Sequence, residues 1–202
     1  ACATTLAEAK AAEAAGADAI VAQGSEAGGH RGAFASADAE RQSSGLFALL
    51  PRLADRIPLP IIAAGGIADG RGIAAALTLG ASAAQIGTGF LRCPEAKTNP
   101  AWAAALADLE PEATMLTRTL SGRLGRGVTN DYVRAATAPD GPPPAPYPIQ
   151  RALTAPMRAA AARAGDLTRM QAWAGESASL ARAVPAAELV RSLWDEASCL
   201  LS

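Results

Sequence analysis

Excess charge of either sign, long apolar runs, paired cysteines and aromatic side chains are all scarce or missing in this sequence. Each absence removes a class of function. The chain has 18 Lys and Arg against 19 Asp and Glu, a formal net charge of −1. That balance offers no electrostatic attraction to nucleic acid or to an anionic membrane. No stretch approaches the roughly 20 continuous apolar residues that span a bilayer, and no charged-then-apolar leader opens the sequence. Cys2, Cys93 and Cys199 stand far apart with no C-x-x-C pair. Neither a zinc site nor a disulfide framework is indicated, and a reduced, cytoplasmic setting is the default. Nothing in the composition sets an oligomeric state. Aromatic residues are only 4% of the 202 residues. Half of the chain is hydrophobic, but much of that is alanine, which favours helix and close helix packing. The length suits one ordinary domain with a sizeable core.

What is present is organised around residues 21–32. A short apolar run, Asp18-Ala19-Ile20-Val21-Ala22, reads as a buried strand. The loop after it places Gly24, Gly28, Gly29 and Gly32 around His30, the one histidine in the chain. Glycine admits positive φ and lets a ligand approach the main chain closely. A loop of this kind at the carboxyl end of a strand is where α/β proteins build ligand sites. A flexible glycine-rich turn carrying a surface histidine is the plain alternative.

The rest of the first half repeats that pattern. Thr4 or Thr5 caps a helix over Leu6–Ala15, with Glu8 completing a capping box if Thr5 is the cap, and Gly16 ends it. A helix over Ser43–Arg56 follows, with Leu46, Leu49, Leu50 and Leu53 at helical spacing despite Pro51. Leu59–Ala64 reads as a parallel strand buried on both faces, and Arg71–Leu79 as a helix closed by Gly80. Ala83–Ile86 is another strand, and a helix around Pro100–Leu109 completes the series. This recurrence of strand, loop and helix predicts the later units of a (β/α)8 barrel over residues 1–110, with an open doubly wound sheet as the competitor. Ala1–Thr5 reads as the end of a strand, so about half of the barrel is expected to lie outside these residues.

Residues 111–202 are predicted to form an extended, proline-rich connection and an appended helical region. The expectation is an extended Ala113–Thr119, turns over Ser121–Gly127, and an extended surface connection over Pro139–Pro148. Helices are expected at Thr154–Ala164, Ala174–Ala183 and Ala186–Leu200.

Two further turns carry chemistry: Ala64-Gly65-Gly66-Ile67 and Gln85-Ile86-Gly87-Thr88-Gly89. In a barrel they fall on adjacent strand ends, where loops and a helix N-terminus form a phosphate site. Gly65, Gly66 and Gly87 permit close backbone approach, and the Thr88 hydroxyl adds a donor. Tight turns in which glycine relieves strain are the alternative.

Together, Val21–Gly32, the run Pro60-Ile61-Ile62-Ala63-Ala64-Gly65-Gly66-Ile67-Ala68-Asp69-Gly70-Arg71, and Gln85-Ile86-Gly87-Thr88 resemble the nitronate monooxygenase family. The likeness continues through Arg118-Thr119-Leu120-Ser121-Gly122-Arg123 and Trp173-Ala174-Gly175. It implies the later part of a TIM-type barrel that binds FMN, with FMN contacted by Gln23, Gly28, Gly65, Gly66, Gln85, Ile86, Gly87 and Thr88. It also implies that His30 serves as base or nitronate partner, in an oxidation of nitronate or nitroalkane by O2 to a carbonyl compound and nitrite. An unperturbed imidazole titrates near pH 6.5 and so suits proton transfer near neutrality. Glu26 is expected to cap the amides of Gly28 or Gly29, and Arg31 to pair with Glu26 or face solvent. Tyr147 is a candidate to reach a substrate pocket. The family pattern Trp-Ala-Gly-Gln reads Trp173-Ala174-Gly175-Glu176 here, which puts an amide-specific role at that position in question. The alternatives are an FMN-dependent enoyl-acyl-carrier-protein reductase, whose central loop is similar, and an inactive barrel fragment.

Overall fold

The computed structural model describes all residues, 1–202. In chain order its elements are β1 (Cys2–Ala3), α1 (Leu6–Ala14), β2 (Ile20–Gln23), β3 (Gly29–His30), α2 (Leu46–Ala54), β4 (Ile61–Ala64), α3 (Gly70–Thr78) and β5 (Ala83–Gln85). There follow α4 (Pro100–Ala105), β6 (Thr114–Thr117), β7 (Gly125–Val128), α5 (Asp131–Ala136), α6 (Ile149–Ala164) and α7 (Ala186–Leu201). No helix is long and apolar enough to cross a membrane.

Four strands make a parallel sheet in the order β1-β2-β4-β5. The order runs monotonically, without the reversal at which a doubly wound sheet changes direction. Its edges are β1 and β5, so no closed barrel forms within these residues. The register aligns Gln23 with Ala64 and Ala64 with Gln85 across the carboxyl ends of three neighbouring strands. That row brings the three glycine-bearing loops side by side. The strands are short apolar runs whose side chains meet α1 and α2. Leu46, Leu49, Leu50 and Leu53 give α2 one buried stripe at helical spacing, packed with Ile20, Ile61 and Ala63 in the main core. A second, antiparallel sheet, β3-β7-β6, pairs His30 with Gly125 and Gly29 with Arg126.

Several expectations change. Thr5 does cap α1, accepting from the Glu8 N–H at 3.1 Å. The Glu8 carboxylate does not return to Thr5, however. It accepts from the Thr4 N–H, the Thr4 hydroxyl and the Phe34 N–H, each at 2.7 Å, and so ties β1 to the loop after His30. The helix expected over Ala174–Ala183 is absent. Trp173 bridges to Gly127 instead, and only a single 3₁₀ turn, Ala178–Leu180, forms. The amides that would start that helix are taken by long-range partners: Gly175 N–H donates to Thr88 Oγ1 and Glu176 N–H to the Glu26 carbonyl, both at 3.0 Å. Part of the Ser121–Gly127 turn region is the buried strand β7. Its glycines make room for an indole: a Cβ on Gly125 or Gly127 would lie 3.1 Å from the Trp173 ring. Helix α6 starts five residues before the expected Thr154, and α5, capped by Asn130, is an element not expected from the sequence.

Candidate active site

The loops beyond the Gln23–Ala64–Gln85 row enclose a cleft of about 110 Å³. That is the space of a few water molecules or one phosphoryl group. Seven of the eight residues that the family resemblance assigns to FMN line it: Gln23, Gly28, Gly65, Gly66, Gln85, Gly87 and Thr88. Ile86 does not. Its side chain packs against the main core and the cluster of Cys93, Leu189 and Leu193. Glu26, Ala27, Ala64, Ile67, Gly175 and Ser177 complete the wall. Gly175 and Ser177 come from a segment expected to be helical, so pattern reading did not bring them to the cleft.

Gly65 and Gly66 sit at φ 115° and 69°. These left-handed values favour glycine. The N–H groups of Gly65, Gly66 and Gly87 donate to no acceptor in the chain. Thr88 Oγ1 accepts from Gly175 N–H, which leaves its own proton to donate. No Lys or Arg lines the cleft. It therefore offers an anion hydrogen bonds rather than a counter-charge.

Two expectations about this region are corrected. Glu26 does not cap Gly28 or Gly29; both of its oxygens accept from the Leu46 N–H, at 2.8 and 3.0 Å, where α2 begins. That pairing places a carboxylate at the positive end of α2. Nor does the N-terminus of α3 serve the cleft. Asp69 accepts from Gly72 N–H and Glu196 from Gly70 N–H, so carboxylates of the chain already occupy that helix end.

The loop from Gly24 to Ala33 has little regular structure, and its carbonyls need other donors. Three arginines supply them. Arg31 is 1% exposed, contrary to either expected role, and donates to the Gln23 and Gly24 carbonyls at 3.1 and 2.6 Å. Arg123 donates to the Arg31 and Ala33 carbonyls. Arg126 donates to the Ser25 carbonyl at 2.8 Å and to Thr114 Oγ1, and pairs with Glu176 at 2.9 Å. Glu176 thus has an ionic partner here that an amide would not have. Gln23 is spent on the same loop: its Nε2 donates to the His30 carbonyl and its Oε1 accepts from Gly32 N–H.

This scaffold fixes His30 on β3. Its ring stands edge-on to Trp173, with centroids 5.1 Å apart, and to Tyr147 at 6.2 Å. His30 Nε2 lies 2.7 Å from Ser121 Oγ, and Ser121 is fully buried. Burial foremost, then the charges of Arg123 and Arg151, hold the imidazole below its ordinary pKa of 6.5. The ring is therefore biased to the neutral form that can accept a proton. Two links join histidine and cleft: Gln23 lines the cleft and holds the His30 carbonyl, and Trp173 packs on the ring two residues before the lining Gly175.

The sequence and the fold are similar to those of known proteins. The family model described as Nitronate monooxygenase matches residues 1–196. A nitronate monooxygenase from Pseudomonas aeruginosa is 51% identical over 197 residues, covering 96% of this chain and 55% of the relative. One from Paraburkholderia phytofirmans is 49% identical, covering 96% and 53%. Among solved structures, the nitroalkane oxidase from Streptomyces ansochromogenes superposes with a TM-score of 0.90 at 44% identity, over 100% of this chain and 58% of that one. FabK from Thermotoga maritima gives 0.80 at 29% identity, over 99% and 60%. The chain thus spans a little over half the length of the relatives it matches. It belongs to the nitronate monooxygenase family.

Proposed function

We propose that this chain carries the phosphate-holding turns and the catalytic base of an FMN-dependent nitronate monooxygenase. The parallel sheet of residues 1–110 is the later half of a (β/α)8 barrel in this reading, and residues 111–202 are its appended cap. One observation carries the proposal: a phosphate-sized cleft with three free backbone N–H groups is linked through Gln23 and Trp173 to a neutral-biased histidine fixed by its neighbours.

The cleft fits the phosphate end of FMN. Gly65, Gly66 and Gly87 offer amides, the Thr88 hydroxyl adds a donor, and an added Cβ on Gly87 would enter open space. When bound, FMN supplies the redox chemistry, accepting electrons from the substrate and passing them to O2. The chain's own part is acid–base chemistry and positioning. His30 takes the proton from the carbon bearing the nitro group of a neutral nitroalkane, and as imidazolium it holds the resulting nitronate anion. Trp173 and Tyr147 flank the ring, and Gln23 keeps its backbone in place.

The test is product analysis. The FMN-loaded holoenzyme given an alkyl nitronate under air should consume O2 and release nitrite with a carbonyl compound. No nitrite, together with NAD(P)H consumption on an enoyl thioester, would replace this reading with the reductase alternative.

A further inference from the structure

We propose that Ser121 is a positioning residue that holds neutral His30 as the Nε2–H tautomer, leaving Nδ1 to accept the proton. The inference rests on the reading of His30 as a base and adds which nitrogen does the work and what selects it.

The protons around the Ser121 oxygen can be counted. Ser121 Oγ has three neighbours: His30 Nε2 at 2.7 Å, the Arg123 carbonyl at 3.2 Å and the Arg123 N–H at 3.3 Å. A hydroxyl brings one proton and two lone pairs. The Arg123 N–H can only donate, so it takes one lone pair. The Arg123 carbonyl can only accept, and no other donor in the chain reaches it. If the hydroxyl proton goes to that carbonyl, the second lone pair faces His30 Nε2, which must then carry the proton. All three contacts are satisfied at once. If the proton went to Nε2 instead, the carbonyl would lose its one donor within the chain, and a hydrogen bond with it.

The surroundings leave the same choice. Ser121 is fully buried, so its hydroxyl is shielded from solvent that could supply an alternative partner. The charged groups near the ring are cationic: Arg123, whose guanidinium is engaged with the Arg31 and Ala33 carbonyls, and Arg151. Neither can accept a proton from the ring. Trp173 and Tyr147 present ring edges and faces. No carboxylate is bonded to Nδ1, so the usual device for fixing a histidine tautomer through that nitrogen is missing, and the Ser121 hydroxyl takes its place on the other side of the ring.

The tautomer is directly observable because His30 is the chain's one histidine. Long-range ¹H–¹⁵N correlation spectra of ¹⁵N-histidine-labelled protein, recorded above the imidazole pKa without flavin or substrate, should show the proton on Nε2. A proton on Nδ1 in the parent protein overturns the proposal whatever any variant does. In Ser121→Ala the spectrum should move towards a mixture of the two tautomers; an unchanged Nε2–H spectrum would show that Ser121 does not select it. Turnover adds a second reading in the holoenzyme. Ser121→Ala should slow proton removal from neutral nitroalkanes roughly tenfold through lost orientation and slow turnover of pre-formed nitronates by a smaller factor; equal losses would contradict a role in orienting the base. The spectra need no flavin chemistry. A wrong tautomer therefore overturns the role of Ser121 alone, whereas missing nitrite with the expected tautomer overturns the proposed function alone.

Discussion

Gly87→Ala separates ligand binding from turn geometry more cleanly than any other change at the cleft. Gly87 sits at φ −101°, on the side that L-residues adopt, and an added Cβ meets no atom within 4 Å. The substitution should therefore leave the apoprotein intact, or stabilise it by about 0.4–1 kcal/mol through the unfolded chain. For a domain of this size that is a rise of roughly 1–4 °C in Tm. A phosphate drawn up to the Gly87 amide would meet the new methyl group. Losing one charge-assisted hydrogen bond costs about 1.5–3 kcal/mol, or roughly ten- to a hundredfold in Kd. Gly66→Ala is the less informative change. Gly66 sits at φ 69° and its Cβ would lie 3.4 Å from Glu26, so about 1–2 kcal/mol of backbone strain follows whether or not a ligand binds there. The assay is flavin fluorescence titration with FMN and riboflavin, beside thermal denaturation of the apoprotein. Gly87→Ala should weaken FMN and spare riboflavin, which has no phosphate. Unchanged FMN affinity would refute the phosphate assignment.

Three further outcomes follow from the scaffold. Arg126→Met leaves the Ser25 carbonyl, Thr114 Oγ1 and Glu176 without their donor and should cost about 2–4 kcal/mol in denaturant unfolding; Glu176→Gln, at a half-exposed partner, should cost under about 1 kcal/mol, and equal losses would contradict the network described. Glu8→Ala strands three donors, two of them backbone amides, and should destabilise by about 3–5 kcal/mol, measured by chemical denaturation; a loss under about 1 kcal/mol would show that the Glu8 contacts do not hold β1 to the loop. Because burial and two arginines lower the His30 pKa in the folded state, the unfolded chain binds more protons between that lowered value and about 6.5. This contribution to stability is intact above pH 6.5 and declines as pH falls through the folded value, and an NMR titration midpoint above 6.5 would contradict it.

The parallel sheet was legible because three of its four strands, β2, β4 and β5, are short runs followed within two residues by glycine, as in Ile61–Ala64 before Gly65. The leucine stripe of α2 was equally readable. The predicted phosphate residues gather because strand register is simple and neighbouring, and Ile86 fell outside because alternate residues on an extended segment face opposite ways. What stayed hidden depends on distant partners. Gly125 and Gly127 look like turn residues until Trp173 is laid across them. Arg31 looks like a solvent residue until the carbonyls of its own loop are found without donors. Ala174–Ala183 has helical composition, yet Thr88 and the Glu26 carbonyl draw off the amides of Gly175 and Glu176. Local propensity lost there to tertiary hydrogen bonding.

The central claim is that His30 removes a proton beside a bound flavin, and one comparison tests it most directly. His30→Asn in the holoenzyme should be assayed on a neutral nitroalkane and on the same compound pre-ionised to its nitronate, with bound FMN measured in both proteins. The account predicts unchanged FMN content, loss of activity on the neutral substrate, and a much smaller loss on the nitronate, which needs no proton removed. Equal losses on both substrates, or full activity on both, would contradict it.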